Sequence, residues 1–156
     1  MSDVPNFLLG GPPRAATGWM LSCLQEHPEA FVPGEEVNYF TYEYDRAASW
    51  YREHFGDRSP NQKAGEKSPS YLAHSEAPAR IHEWNPDLNL SFSLRHPVDR
   101  AYAAYCMCLQ NPHYDVGEEV GRELTPEAPM VQTGRYFEHL QRYREYFSDE
   151  QLHILV

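Results

Sequence analysis

The chain reads as a single α/β domain built on a mostly parallel sheet of about five strands, with helices covering both faces. Three observations predict this. Short apolar runs alternate with segments of helical spacing along the 156 residues. Proline and glycine punctuate the ends of most of these segments. One transition, FLLGGPPRAATGWM at residues 7–20, is a strand that breaks into a tight turn and then opens a helix.

The elements can be justified in order. Phe7, Leu8 and Leu9 form a buried strand that ends at Gly10-Gly11. Thr17-Gly18 open a helix whose Met20, Leu21 and Leu24 sit at helical spacing; it stops at His27-Pro28, because proline disfavours helical geometry in the residue before it. Ala30-Phe31-Val32 predict a second strand, closed by Pro33-Gly34. Residues 45–55 are helix-like and residues 56–62 are polar loop. Residues 64–67 predict a third strand, 76–84 a helix stopped by Asn85-Pro86, and 88–94 a fourth strand with Arg95 at its C-terminal end. Pro97 suits a first helical turn, and Val98, Tyr102, Tyr105 and Leu109 then form a stripe expected to pack on the sheet. Residues 110–133 have little periodicity and are expected to form a long mobile loop, a feature that often serves as a lid or binding loop. Tyr136, Leu140, Tyr143 and Phe147 mark a last helix, and residues 153–156 begin a fifth strand.

Composition narrows the function. A formal net charge of −10 excludes a general nucleic-acid coat, so a polyanion would have to be held in a local basic pocket. Hydrophobic residues at 41% argue against disorder. The three cysteines form neither a disulfide framework nor a zinc spacing, so no metal is expected, and a reducing, cytoplasmic compartment fits best. No apolar segment is long enough for a signal peptide or a bilayer span.

The turn after the first strand is where chemistry enters. Backbone N–H groups at a helix start lack partners within the helix, and with the helix dipole they favour an anion. Arg14 adds a fixed positive charge and Thr17 a hydroxyl. The turn is not a Walker A loop, because Ala16-Thr17 stand where that loop needs Gly-Lys. Glu36 falls just beyond the second strand, at the sheet edge where open α/β folds bind ligands.

These residues resemble those of the sulfotransferases that use 3′-phosphoadenosine 5′-phosphosulfate (PAPS), of the heparan-sulfate and related bacterial type. Gly11, Pro13, Arg14 and Thr17 match the family's 5′-phosphosulfate loop, G-x-P-[KR]-x-G-T-[TS]; Ala16 replaces its glycine and Gly18 its second hydroxyl residue. Leu94 to Tyr105, LRHPVDRAYAAY, is similar to the 3′-phosphate segment L-R-x-P-x-x-R-x-x-S-x-Y, with Ala103 in place of the serine. GEKSPSYL resembles G-E-K-[ST]-P-x-Y. HPEAFVPGEEVNYF resembles H-P-x-x-x-x-P-x-K-E-x-H-F-F, with Glu35 for the lysine and Asn38 for the histidine.

The resemblance implies a P-loop NTPase-like three-layer sandwich and sulfuryl transfer from PAPS, without a metal, to a hydroxyl or amine of a glycan or small metabolite. It implies Glu36 as general base, with Arg14 and Lys67 stabilising the sulfate and the leaving oxygen. Gly11, Pro13, Arg14, Ala15, Ala16, Thr17, Gly18, Arg95, Arg100 and Ala103 are then the nucleotide-binding positions. It also implies further helices and a closing loop after the fifth strand, so the chain is expected to be a binding-competent but incomplete enzyme. Two alternatives stay open: a nucleotide- or glycan-binding pseudoenzyme, given Ala16, Gly18, Asn38 and Ala103, and a P-loop small-molecule phosphotransferase, disfavoured by the absent Walker lysine.

Overall fold

The computed structural model describes residues 4–115, 117 and 119–156. Its centre is a five-stranded sheet of β1 (Phe7–Leu9), β2 (Ala30–Phe31), β3 (Lys63–Lys67), β4 (Asn89–Ser93) and β5 (Leu152–Leu155), in the order β2-β3-β1-β4-β5. Every pairing is parallel. The expected five-stranded α/β architecture is present, and the central β1 aligns Leu9 with Lys67 on one side and with Ser91 on the other.

Because side chains alternate along a strand, residues level with one another in this sheet share a face. Leu8, Ala64, Leu90 and Phe92 face a buried core completed by Tyr51 and Phe55 from the α2 region (α2, Ala48–Glu53), Ala77 and Ile81 of α3 (Ala77–Trp84), and Tyr143 of α7 (Tyr136–Arg144). The opposite face, with Phe7, Leu9 and Ser91, lies against α1 (Thr17–Glu26), whose Trp19, Met20, Cys23 and Leu24 border an apolar cavity beneath it. Gly65 is required here, since a Cβ at that position would fall 2.1 Å from the Phe7 ring.

Three expectations need correction. The helix predicted over 45–55 is shorter, with its first turn only at Ala48. Helix α4 (Pro97–Leu109) buries Arg100, Ala101, Ala104, Tyr105 and Cys108, so the predicted stripe is largely turned outward, with Val98, Tyr102 and Leu109 exposed. The small Ala101 and Ala104 let neighbouring backbone approach, which a strip of large residues would prevent. Residues 110–133, expected to be one irregular loop, contain two single-turn helices, α5 (Val120–Glu123) and α6 (Pro129–Gln132), the second packing on α4. Val116 and Glu118 of that segment lie outside the described residues.

Helix α7 is fastened by polar contacts as well as by its rings. Tyr143 donates from its hydroxyl to the Tyr71 carbonyl at 2.8 Å. Arg142 donates to the Ala73 carbonyl at 3.0 Å and to Nδ1 of His139 at 2.9 Å, while His139 Nε2 lies 3.0 Å from the Gln132 carbonyl. A guanidinium only donates and a carbonyl only accepts, so this arrangement requires the neutral ring with its proton on Nε2. Burial, the largest influence, lowers the His139 pKa from its ordinary value. His74 is lowered for the same first reason.

The consequence for stability has a definite sign. A histidine held neutral in the fold takes up its proton more readily when unfolded, so the stabilisation is present above the unfolded pKa of about 6.5 and is lost as pH falls below it. Urea midpoints should therefore drop between pH 7.5 and pH 5.5. His139→Gln should flatten that dependence by part of one proton; an unchanged slope in the variant would remove His139 from the account.

Candidate active site

The C-terminal edges of β1, β3 and β4 deliver three loops to one side of the sheet. After β1 the backbone turns sharply, with Arg14 and Ala16 both in the left-handed region at φ 71° and 63°. Gly11 permits this path, because a Cβ there would meet the Ser93 carbonyl oxygen at 2.4 Å and its hydroxyl at 2.6 Å. Ala16 is then the residue before helix α1, which has no side-chain cap and no acidic residue in its first turn.

Arg14, Ala16, Thr17, Gly18 and Arg95 line a cavity of about 390 Å³ at this helix start. The ion pairs among the described residues involve neither Arg14 nor Arg95. Two unneutralised guanidinium groups, free helix N–H groups and the Thr17 hydroxyl fit an anion with phosphate-like oxygens. The Ser93 hydroxyl, buried against Gly11, has no hydrogen-bond partner, an orphaned polar group at the same strand end.

The other predicted nucleotide positions are placed differently. Pro13 is exposed in the loop and Ala15 is buried beneath it. Ala103 is half-buried on α4 and does not line the cavity. Arg100 is not brought to it either. Its guanidinium is buried, donates to the Met130 carbonyl and bonds Tyr136, whose hydroxyl donates to the Arg95 carbonyl at 3.0 Å. Burial lowers the Arg100 pKa, although the group stays charged. Sequence spacing cannot show which helical face meets a neighbouring turn, and here Arg100 lies outside the lining of this cavity, held at the Met130 carbonyl.

Lys67, at the end of β3, is buried, and its Nζ lies 2.5 Å from Oε1 of Glu36. Glu36 is itself about half exposed, at 47%. A second cavity of about 180 Å³ opens on this side, lined by Glu35, Glu36, Val37, Glu43, Arg46, Trp50 and His54. Glu35 pairs there with Nε2 of His54 at 3.3 Å, and Glu43 with Arg46 at 3.0 Å. The structure therefore brings Arg14, Arg95, Thr17 and Gly18 into one cavity, and Lys67 and Glu36 into contact at the neighbouring strand end.

Behind this pair lies the glutamate of the GEKSPSYL segment. Glu66 is fully buried and faces the core, opposite in direction to Lys67. It accepts hydrogen bonds from Ser68 at 2.6 Å, from Tyr51 at 3.0 Å and from Tyr71. Burial raises its pKa, and the three hydroxyl donors oppose that rise. Among the described residues no group of three or more His, Cys, Asp or Glu side chains could hold a metal ion. No described helix is long and apolar enough to cross a membrane.

Comparison with known proteins gives this geometry a context. No family profile matches the chain. Over 152 residues it is 33% identical to heparan sulfate glucosamine 3-O-sulfotransferase 6 of Mus musculus, covering 92% of this chain and 44% of the relative. Over 167 residues it is 29% identical to the Mus musculus 3-O-sulfotransferase 5, covering 99% and 48%. The chain belongs to the sulfotransferase family. It spans about half the length of these curated relatives. Its fold is that of the sulfotransferase from Alicyclobacillus acidocaldarius, with a TM-score of 0.85 at 23% identity over 97% of this chain and 72% of that one. Mouse sulfotransferase SULT7A1, solved in complex with PAP, also aligns, with a TM-score of 0.62 at 17% identity over 96% of this chain and 50% of that one.

The loop geometry accounts for two departures from the family pattern. Ala16 occupies a left-handed conformation that costs an L-residue with a Cβ about 1–2 kcal/mol and glycine little. A Cβ at Gly18 would meet nothing within 4 Å. Ala16→Gly should therefore raise the melting temperature, and Gly18→Ser should fold unchanged and tighten binding of 3′-phosphoadenosine 5′-phosphate (PAP). Calorimetric titration of both variants checks this; a destabilised Ala16→Gly variant would contradict the strain argument.

Proposed function

We propose that the chain transfers a sulfuryl group from PAPS to a hydroxyl or amine, with the Lys67–Glu36 pair as its chemical centre. The contact of a buried lysine with a solvent-reachable carboxylate, one strand away from the two-arginine cavity, is the observation that carries this reading. The nucleotide's phosphates would lie between Arg14, Arg95, Thr17 and the α1 N-terminus. Transfer moves SO3 in line: the acceptor oxygen or nitrogen bonds sulfur, the bond to the bridging phosphate oxygen breaks, and its electron pair stays with the departing bisphosphate. Lys67 and Arg14 are the cations placed to stabilise that charge. Glu36 takes the acceptor's proton, a role that contributes about 10²–10⁴-fold. Its partner in the fold is Lys67, whose Nζ lies against the carboxylate oxygen that would receive the proton.

The cavity beside Glu36 supports a narrower view of the acceptor. Glu35 stands where the family pattern has lysine, and Glu43 and Trp50 share the cavity with it. The lining sets three glutamates against Arg46 and His54, so a polyanionic chain would meet a net negative wall, whereas a neutral or amine-bearing sugar could hydrogen-bond the acids. Neutral oligosaccharides and amino sugars are therefore expected to accept labelled sulfate from PAPS faster than heparan sulfate does. The reverse order would overturn this acceptor assignment.

Two variants separate binding from chemistry. Hydrogen bonds to charged groups contribute about 1.5–3 kcal/mol, so Arg95→Ala should weaken PAP at least tenfold. An analogue lacking the 3′-phosphate should be affected much less, and equal losses for the two ligands would defeat the assignment. Glu36→Gln should retain PAP affinity and lose most sulfate transfer. Undiminished transfer in that variant would end its role as base.

A further inference from the structure

We propose that Glu66 is a positioning residue for the Lys67–Glu36 pair, holding the loop that carries Glu36 through the hydroxyls of Ser68 and Tyr71. This rests on the sulfotransferase reading of that pair, but the contacts that support it are independent of any substrate. Glu66 is a fully buried carboxylate with no cation bonded to it among the described residues; it is held by three hydroxyl donors. Such a group is costly to bury, and an apolar residue of similar size would serve packing better.

Two of the three hydroxyls have a second task. Ser68 Oγ, while donating to Glu66, accepts the backbone N–H of Asn38 at 2.9 Å. Tyr71 likewise donates to Glu66 and accepts the backbone N–H of Phe40 at 3.4 Å. A hydroxyl whose proton is drawn to a carboxylate is a better acceptor on its oxygen, so the buried charge strengthens both links. The loop they hold needs such support, because Asn38 sits at φ 53° in the left-handed region. Asn38 uses its side chain to complete the turn, donating from Nδ2 to the Glu36 carbonyl at 3.2 Å and accepting from Ser70 at 2.7 Å.

β3 thus acts on the site in two directions. Lys67 projects to Glu36, and its neighbour Glu66, on the other face, fixes the amides that follow Glu36 in sequence. The register of the two sides is set by one strand, so the carboxylate that takes the proton and the ammonium that meets the sulfate are located by the same three residues, Glu66, Lys67 and Ser68.

The chain has only two lysines, Lys63 and Lys67, which makes the test direct. Reductive methylation with ¹³C preserves their charge and gives two side-chain signals; Lys63 is exposed and serves as reference, and Glu36→Gln supplies the position of an unpaired Lys67. In Glu66→Gln and Ser68→Ala the Lys67 signal should move at least halfway to that position, while Ser68→Thr, which keeps the hydroxyl, leaves it in place. Turnover should fall about tenfold or more, as misplacement of a reacting group by an ångström can cost about a hundredfold, with PAP affinity kept within about twofold. Should Glu66→Gln fail to fold, Ser68→Ala, which leaves the carboxylate its two tyrosine donors, decides alone. An unmoved Lys67 signal, or a Ser68→Thr variant as impaired as Ser68→Ala, overturns the proposal. A wild-type chain that moves no sulfate overturns the functional reading instead, and the Lys67 signal still decides the positioning role.

Discussion

In-register parallel pairing puts Leu9, Lys67 and Ser91 level with one another, and every feature of the site depends on that alignment. Three segments leave the sheet from the same edge: the Gly10-Gly11 turn, the run through Ser68 and Ser70, and the passage through Arg95 into α4. Parallel strands point their C-terminal ends in one direction, so their following loops must meet. The backbone N–H of Ser68 reaches the Leu9 carbonyl at 3.1 Å, and that of Gly10 the Ser91 carbonyl at 2.9 Å, extending the ladder beyond the last residues of the strands. The cations of the site are thereby brought near one another before any side-chain preference is considered. Their mutual repulsion is offset by Glu36 on Lys67 and by the solvent open to Arg14 and Arg95.

Much of the fold was legible because its signals are local. The short apolar runs, the prolines after helices and the glycines after β1 each act within a few residues of themselves, and the strands came out near the expected positions. The placement of Arg14, Thr17 and Arg95 in one cavity and of Lys67 against Glu36 was legible, since their spacing puts each at a strand end. Arg100 was not, because its role depends on the carbonyl of Met130, thirty residues away. Nor was the inward face of α4, where Ala101 and Ala104 outweigh Val98 and Tyr102. Hydrophobicity favoured the large residues, but close approach of α6 favoured the small ones. Glu66 belongs to the GEKSPSYL segment, but its inward direction and its hydroxyl partners depend on strand alternation against the core and on Tyr51, fifteen residues away.

The departures from the family pattern fall into two physical kinds. Ala16 keeps the turn and bears a backbone cost, while Gly18 keeps the helix and gives up a donor. Neither disturbs the cations. Beside Glu36, Glu35 and Asn38 stand where the family pattern has a lysine and a histidine, and Glu35 lines the adjoining cavity. Asn38 is nevertheless fully used, its side chain closing the turn after Glu36 where a ring would have to do so differently.

Helix α1 buries only Thr17 fully, and it begins at a residue that offers its N–H groups no side-chain oxygen. In this it resembles the other described helices, none of which has a side-chain cap. An anion seated at the start of α1 would act as the missing cap, and its binding energy would be drawn partly from ordering the helix itself. Occupancy by such an anion and helix order would then be one equilibrium, in which the free energy of opening the α1 amides rises by RT ln(1 + [L]/Kd).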